Sequence, residues 1–255
     1  MDLFTRTRLL LGDDDIEKIK KARVAVFGLG AVGSYAVEAL ARVGVGYLRL
    51  VDFDRVDPSN VNRQLFALNS TIGKQKSTIA EARVRDINPD VELDMHPAFV
   101  NADSLTDLLS PDLDLVVDAI DGLNSKVNLI VGAREMGLSV ISSMGAGGRM
   151  DPTRVKIGDI SKTHTCPLAR VVRRRLHRRG IFTGVPCVYS VEAPIRPPEG
   201  MIDPAESVPV STRKEDGDPA AHGRKRPPIG TIPWVPGIFG LNLASMAVEA
   251  ILSKS

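Results

Sequence analysis

Cysteine is scarce in this sequence, which has only Cys166 and Cys187 among its 255 residues. Two isolated cysteines form neither a disulfide framework nor a four-ligand zinc site. Free thiols are typical of a reducing compartment, so we expect a cytoplasmic protein, with peripheral attachment to a membrane left open. Cys187 lies in an apolar, strand-like run and is expected to be buried.

Strong net charge and long hydrophobic runs are also missing. The formal net charge of +2 indicates no polyanionic partner by itself. Residues 1–12 lack the apolar segment of a signal peptide. The most apolar stretch, residues 237–252, contains Asn242 and Glu249 and is shorter than the ~20 residues that a membrane helix needs. We therefore predict no membrane span, and we interpret this stretch as a buried or dimer-facing helix. The four histidines lack metal-ligand spacing, and we assign them no catalytic role.

Strands and helices alternate through the first 150 residues. Strands are predicted at 23–27, 47–52, 91–97, 113–118 and 139–143, and helices at 16–22, 31–43, 70–87, 103–109 and 126–136. Such alternation is typical of a parallel sheet covered on both faces. We predict a Rossmann-type, three-layer α/β/α domain with a mostly parallel sheet.

The pattern changes after Gly145. Two further strands are predicted at 155–159 and 188–192, separated by an arginine-rich helix. Residues 194–228 are rich in proline, glycine and charge, which indicates a long mobile loop. We expect a smaller C-terminal extension with antiparallel strands, within a single domain of residues 1–255.

A glycine loop follows the first predicted strand. Gly28, Gly30 and Gly33 form a G-x-G-x-x-G pattern, which lets a phosphate approach the backbone at a helix N-terminus. Asp52 follows at the spacing expected of an acid that holds ribose hydroxyls. By itself the pattern fits a NAD-dependent oxidoreductase as well as an ATP-dependent enzyme, and a tight turn without any ligand is a third interpretation.

The residues after Asp52 favour ATP over NAD. Attack of a carboxylate on the α-phosphate builds negative charge, which Arg63 and Lys76 are placed to stabilise. As isolated residues, these two cations could equally be solvated surface groups. Asp121 lies in the turn after a buried strand and is a candidate Mg²⁺ ligand. Asp118 is better explained as a turn or capping residue.

Five linked segments resemble the ThiF/MoeB/HesA superfamily of ubiquitin-activating-type adenylating enzymes. They are GLGAVG (28–33), DFD (52–54), NVNRQ (60–64), GKQK (73–76) and DAID (118–121). The resemblance covers roughly residues 4–195. It implies an ATP-binding half at 1–150, with residues 151–255 serving substrate binding and dimerisation.

The resemblance also implies residue roles. The implied ATP-binding residues are Gly28, Gly30, Gly33, Asp52, Asp54, Asn60, Arg63, Gln64, Lys76 and Asp121. Among them, Arg63, Lys76 and Asp121 are the implied catalytic residues, with Asp121 serving Mg²⁺. In this superfamily an N-terminal arginine reaches the ATP of the partner subunit, which implies a homodimer. Arg6 is the matching residue and the fourth implied catalytic residue, and Arg8 is the alternative.

Three further segments, at 142–153, 159–163 and 167–176, resemble the tRNA threonylcarbamoyladenosine dehydratase branch. This branch adenylates the threonyl carboxylate of a modified adenosine, and the side chain then cyclises with loss of AMP. Paired C-x-x-C motifs, common in activators of sulfur-carrier proteins, are missing here. The alternatives are adenylation of the C-terminus of such a carrier and, further off, NAD-dependent oxidation. Residues 230–237 lack the cysteine that some members have, and a sulfur-relay protein partner is left open.

Basic residues crowd the helix predicted after residue 166. Spacings of three and four place most of them on overlapping faces. Such density is unfavourable unless a polyanion is bound, although a solvated face paired with surface acids would also account for it. The predicted tRNA-binding residues are Arg170, Arg173, Arg174, Arg175, Arg178 and Arg179.

Overall fold

The computed structural model describes residues 3–198 and 229–254. Its centre is a seven-stranded sheet in the order β3-β2-β1-β4-β5-β7-β6. The strands are β1 Arg23–Phe27, β2 Tyr47–Val51, β3 Glu92–His96, β4 Leu115–Asp118, β5 Ser139–Ser143, β6 Val155–Asp159 and β7 Pro186–Ser190. All neighbours are parallel except β6 and β7. The strand order reverses between β1 and β4, where open α/β sheets bind their ligands.

Helices cover both faces of this sheet. They are α1 Thr5–Leu11, α2 Asp13–Lys21, α3 Gly33–Val43, α4 Lys76–Ile87, α5 Leu105–Leu108, α6 Leu123–Glu135, α7 Pro167–His177 and α8 Trp234–Leu252. The α/β/α prediction is confirmed. The helix predicted at 70–87 was wrong at its start, because Gly73 has a φ of +81° and interrupts it. A short 3₁₀ turn, Asn69–Thr71, precedes the break.

Two hydrophobic cores flank the sheet, and alternate residues of β1 point into each. Val24 and Val26 belong to the core beneath α3, α4 and α8. Ala25 and Phe27 belong to the core beneath α5, α6 and α7. Burial on both faces explains why this strand is a continuous apolar run rather than an alternating one.

The C-terminal antiparallel strands are present and extend the same sheet. β6 pairs antiparallel with β7, and β7 pairs parallel with β5. The second predicted strand, 188–192, begins two residues earlier, at Pro186. The loop predicted at 194–228 falls mostly on residues 199–228, outside the described residues.

Helix α8 passes a length and composition test for a membrane span. It has 19 residues and a mean hydropathy of 1.6, and 56% of its apolar window is buried. No other helix in the described part of the chain passes. Val235, Phe239 and Leu243 are fully buried in the core with α3. This packing supports its interpretation as a buried helix.

Candidate active site

Two glycines of the loop between β1 and α3 are required by the backbone itself. Gly28 has a φ of +91°, and a Cβ there would lie 2.8 Å from the carbonyl oxygen of Ala119. A Cβ on Gly33 would lie 1.7 Å from the carbonyl oxygen of Gly28. Both positions exclude any side chain, so these two glycines set the shape of the loop.

Gly30 is different, because nothing in the protein crowds it. The nearest atom to a Cβ at this position is Gln64 Nε2, at 3.8 Å. No side chain caps the N-terminus of α3, which begins three residues later. The open space therefore lies between a helix N-terminus and the Gln64 amide, as expected of a phosphate cradle.

A Gly30→Ala variant should separate ligand binding from folding. We expect its melting temperature to change by less than about 2 °C, since the added methyl group meets no protein atom. We expect its affinity for ATP to fall about tenfold or more, which corresponds to about 1.4 kcal/mol. Thermal unfolding with and without ATP measures both quantities.

Gly33→Ala is the matched comparison, because its methyl group would collide with backbone and should destabilise the fold. An undiminished ATP affinity in Gly30→Ala would show that the open space is not a phosphate cradle.

Asp52 ties the glycine loop to the end of β2. Its Oδ2 accepts a hydrogen bond from the Leu29 N–H at 2.6 Å, and its Oδ1 accepts one from the Asp54 N–H at 2.8 Å. Burial raises the pKa of this carboxyl, against the lowering effect of Lys76. Asp52 thus lies beside the glycine loop, and the predicted contact with ribose stays a prediction.

Lys76 is the first residue of α4, and its side chain is only 5% exposed. Its Nζ lies 2.9 Å from Asp54 Oδ2, and its backbone N–H donates to the Asp54 carbonyl. The structure therefore brings together Asp52, Asp54 and Lys76, as the sequence predicted. The predicted contact of the Lys76 ammonium with a phosphate stays a prediction.

Arg63 approaches from the turn that follows the 3₁₀ helix Pro58–Asn60. Its Nη1 donates to the Ser59 carbonyl at 2.6 Å and to Asn62 Oδ1 at 2.8 Å. Burial lowers the pKa of its guanidinium, and the negative charge of Asp121 acts in the opposite sense. Asp121 therefore lies near enough to Arg63 for the two charges to interact.

Asn60, another predicted ATP-binding residue, has a clear structural role. It is buried, and its Oδ1 accepts a hydrogen bond from the Asp57 N–H at 3.2 Å. This bond closes the turn that carries Arg63. In the structure the Asn60 side chain therefore positions the loop, and direct contact with ATP stays a prediction.

Asp118 and Asp121 have different environments. Asp118 is fully buried at the end of β4, where its Oδ2 lies 2.6 Å from Lys126 Nζ and 2.5 Å from Ser142 Oγ. It also accepts the Ile120 N–H, as expected of a turn residue. Sequence reasoning missed Lys126, whose only signal was a lysine on the buried face of an apolar helix.

Asp121 is exposed and is the carboxylate of this turn that could serve a metal. The described residues contain no group of three His, Cys, Asp or Glu side chains that could hold a metal unaided. Mg²⁺ that arrives with a nucleotide needs only one or two carboxylates beside the phosphate oxygens. A single exposed aspartate opposite Arg63 fits that requirement.

The arginines of α7 and of the two residues that follow it fall into two groups. Arg173 Nη1 donates to the Ile160 and Thr163 carbonyls and to Thr163 Oγ1, and Arg175 Nη1 donates to Asn124 Oδ1. Helical spacing alone could not reveal these contacts. The remaining predicted tRNA-binding arginines are exposed: Arg170, Arg174, Arg178 and Arg179.

The N-terminal arginines lie on α1. Arg6 is exposed, whereas Arg8 pairs with Asp13 of α2. An arginine tied to its own chain is less able to reach a second subunit. The geometry thus favours Arg6 over the alternative Arg8.

The chain is similar to known proteins along nearly all of its length. The ThiF family model matches residues 4–255. The tRNA threonylcarbamoyladenosine dehydratase of Bacillus subtilis is 42% identical over 250 residues, which cover 98% of this chain and 94% of the relative.

Solved structures of dehydratases are also similar to this chain over nearly its whole length. The crystal structures of the Escherichia coli tRNA N6-threonylcarbamoyladenosine dehydratase in complex with ATP and with AMP each match with a TM-score of 0.83 and 31% identity. Each match covers 98% of this chain and 94% of the other. With its glycine loop, its buried lysine and this full-length similarity, the chain belongs to the ThiF family of adenylating enzymes.

Proposed function

We propose that this protein is a tRNA threonylcarbamoyladenosine dehydratase, which uses ATP to cyclise a modified adenosine through an acyl-adenylate. The similarity to dehydratases along 98% of the chain carries the proposal, because it includes the β6–α7–β7 extension as well as the nucleotide half. The proposed location is the cytoplasm.

The first step joins two anions. The glycine loop and the N-terminus of α3 receive the phosphates, while Lys76 and Arg63 neutralise the charge that grows on them. The threonyl carboxylate then attacks the α-phosphate, and pyrophosphate leaves with the electrons of the broken P–O bond. Asp121 would hold Mg²⁺, which would supply further charge neutralisation.

The second step needs no nucleophile from the protein. A nucleophile within the substrate attacks the activated carbonyl and loses its proton, and AMP leaves with the former carboxylate oxygen. Holding both groups in one molecule supplies the rate gain of an intramolecular reaction. Cys166 and Cys187 are both buried, and burial raises the pKa of the Cys187 thiol to about 12. Neither cysteine is therefore suited to form a thioester.

Two other functions fit the site less well. Adenylation of a sulfur-carrier protein uses the same phosphate cradle, but activators of such carriers usually have zinc-binding cysteine pairs. The two cysteines here cannot supply them. NAD-dependent oxidation requires neither a buried lysine such as Lys76 nor an arginine such as Arg63 beside the phosphates. A sulfur-relay partner has no support among the described residues.

Mass spectrometry of nucleosides tests the function directly. We expect treatment of modified tRNA with the protein and ATP to reduce the mass of threonylcarbamoyladenosine by one water. AMP and pyrophosphate should form in equal amounts. Unmodified tRNA is the matched control. An unchanged nucleoside, together with adenylation of the C-terminal glycine of a carrier protein, would favour the first alternative.

The exposed arginines of α7, together with Arg178 and Arg179 just after it, form the proposed tRNA surface. Neutralising Arg170, Arg174 and Arg178 to glutamine should weaken tRNA binding regardless of sequence. The slope of log K against log salt should flatten by about 0.7 to 0.9 for each phosphate that the variant no longer neutralises.

The control for this surface neutralises three arginines on the opposite face of the sheet. Arg42, Arg83 and Arg85 are paired with Glu38 or Glu81 and lie on α3 and α4. If this variant flattens the salt slope as much as the α7 variant, the effect comes from net charge rather than from a binding surface.

The proposed assembly is a homodimer. An apolar groove of about 700 Å³ runs between α1, α3 and α8. Its lining includes Leu10, Leu11, Leu241 and Val248, and Leu10 is 83% exposed. Arg6 lies on α1, which borders this groove, so the proposed reach of Arg6 into a partner's site is consistent with a dimer there. Mixing Arg6→Ala and Arg63→Ala subunits should restore part of the activity, and a monomeric mass by light scattering would contradict the dimer.

A further inference from the structure

Arg149 is a buried cation to which the proposed mechanism assigns no role. The residue is 4% exposed and lies in the glycine-rich segment that follows β5. Its Nη1 donates to the Gly147 carbonyl at 2.5 Å, whereas its Nε and Nη2 have no hydrogen-bond partner among the described residues. It also forms no ion pair in the described part of the chain. An uncompensated buried charge is costly, so this position favours an anion.

The surroundings of Arg149 increase its preference for an anion. A Cβ on Gly145 would lie 3.8 Å from Arg149 Nη1 and 3.6 Å from both Cys166 Sγ and Leu168 Cβ. The guanidinium thus lies beside the first turn of α7, whose N-terminus has no side-chain cap. Helix N-termini add positive potential. The nearby Glu192 carboxylate is occupied by the N–H groups of Met150 and Asp151.

The Arg149 segment also borders the ATP site. β5 lies next to β4, with Ser142 opposite Asp118, so the loops after both strands share one edge of the sheet. Thr231 bridges the remaining gap. Its carbonyl accepts a hydrogen bond from Asn62 Nδ2 at 2.9 Å, and its Oγ1 lies 3.5 Å from the Cβ position of Gly147. The segment is therefore linked to the Arg63 loop through Thr231.

We propose that Arg149 binds the carboxylate of the threonyl group and holds it beside the α-phosphate. The inference rests on the proposed function, whose first step brings a carboxylate up to a triphosphate. Arg63 and Lys76 offset the charge of the triphosphate, and Arg149 offsets the charge of the nucleophile. A planar guanidinium with two free donor nitrogens matches two carboxylate oxygens.

The test uses RNA stem-loops that carry the modified adenosine as free acid, as methyl ester or unmodified. For Arg149→Met we expect affinity for the acid to fall tenfold or more, while affinities for the ester, the unmodified RNA and ATP stay the same. The melting temperature should not fall, because an unpaired buried charge is removed. The affinity of Arg149→Lys for the acid should lie between those of wild type and Arg149→Met, since lysine keeps the charge but loses the bidentate donor. The exposed Arg154→Met, in the same segment, is the matched control.

The outcomes separate the two proposals. One outcome overturns the inference and leaves the proposed function standing. In it, wild type removes water from the free acid, but wild type and Arg149→Met bind the acid equally well. Equal weakening of acid and ester, or a marked loss of thermal stability in both Arg149 variants, would make Arg149 structural and also overturn it. Weaker binding of ATP or of unmodified RNA would mean that the anion is a phosphate. If wild type with ATP removes no water from the acid, the proposed function fails, and the carboxylate assignment fails with it.

Discussion

A Lys76→Met variant is expected to lose about 100-fold to 1,000-fold in the rate of AMP formation, the range seen when one buried donor to a developing anion is removed. The Lys76 ammonium is almost fully buried, so water cannot replace it. In this low-dielectric environment the ammonium attracts the phosphates more strongly than a surface charge would. ATP–pyrophosphate exchange in the presence of modified tRNA measures the loss.

Lys74→Met is the control for this experiment. Lys74 is two residues away, exposed, and carries the same charge. We expect its exchange rate to stay within a factor of about two of wild type, in line with the weak effect of an exposed charge. Equal exchange rates in Lys74→Met and Lys76→Met would show that Lys76 has no catalytic role. An Asp54→Asn variant, which frees Lys76 from its partner, should lose much less than Lys76→Met.

A Lys126→Met variant should be destabilised by about 3–5 kcal/mol, because it leaves the Asp118 carboxylate buried without its cation. Both side chains of this pair have zero exposure, and the other described donors to the carboxylate are the neutral Ser142 hydroxyl and Ile120 N–H. Urea denaturation measures the free energy of unfolding. The double variant Asp118→Asn, Lys126→Met should recover part of the loss, since no buried charge remains.

The surface pair Lys254–Asp114 provides the comparison. Its nitrogen and oxygen lie 3.1 Å apart, with side chains 48% and 37% exposed. Removing it with Lys254→Met should cost less than about 1 kcal/mol. If Lys126→Met costs no more than Lys254→Met, water must reach the Asp118 site and the pair is not buried in solution.

The sequence predicted the layers and the nucleotide loop well for a physical reason. Continuous apolar strands such as β1 and β4 occur where both faces are covered, and the spacing of Gly28, Gly30 and Gly33 reflects contacts within one turn. The start of α4 was missed because helical spacing does not register the positive φ of Gly73. Sequence patterns such as the glycine spacing and the apolar strands reflect contacts between residues close together in the chain, which is why they could be predicted.

Contacts between distant segments were beyond prediction. Lys126 finds Asp118 and Ser142 only once α6, β4 and β5 are packed. Arg173 has the spacing of a basic face, yet its guanidinium is bound to the Thr163 turn. Arg149 is hidden among glycines, and its burial depends on the loops that converge after β5. Each of these side chains is placed by tertiary structure rather than by periodicity.

The close contact between α8 and α3 has a consequence for synthesis of the protein. A Cβ on Gly240 would lie 2.3 Å from the Val32 carbonyl, so α8 presses directly on the turn that ends the glycine loop. Phe239, Leu243 and Ala247 complete the core beneath α3. Most of the chain separates these two helices. We therefore expect the nascent chain on the ribosome to keep an open apolar face beneath α3 until residues 234–252 have emerged from the exit tunnel.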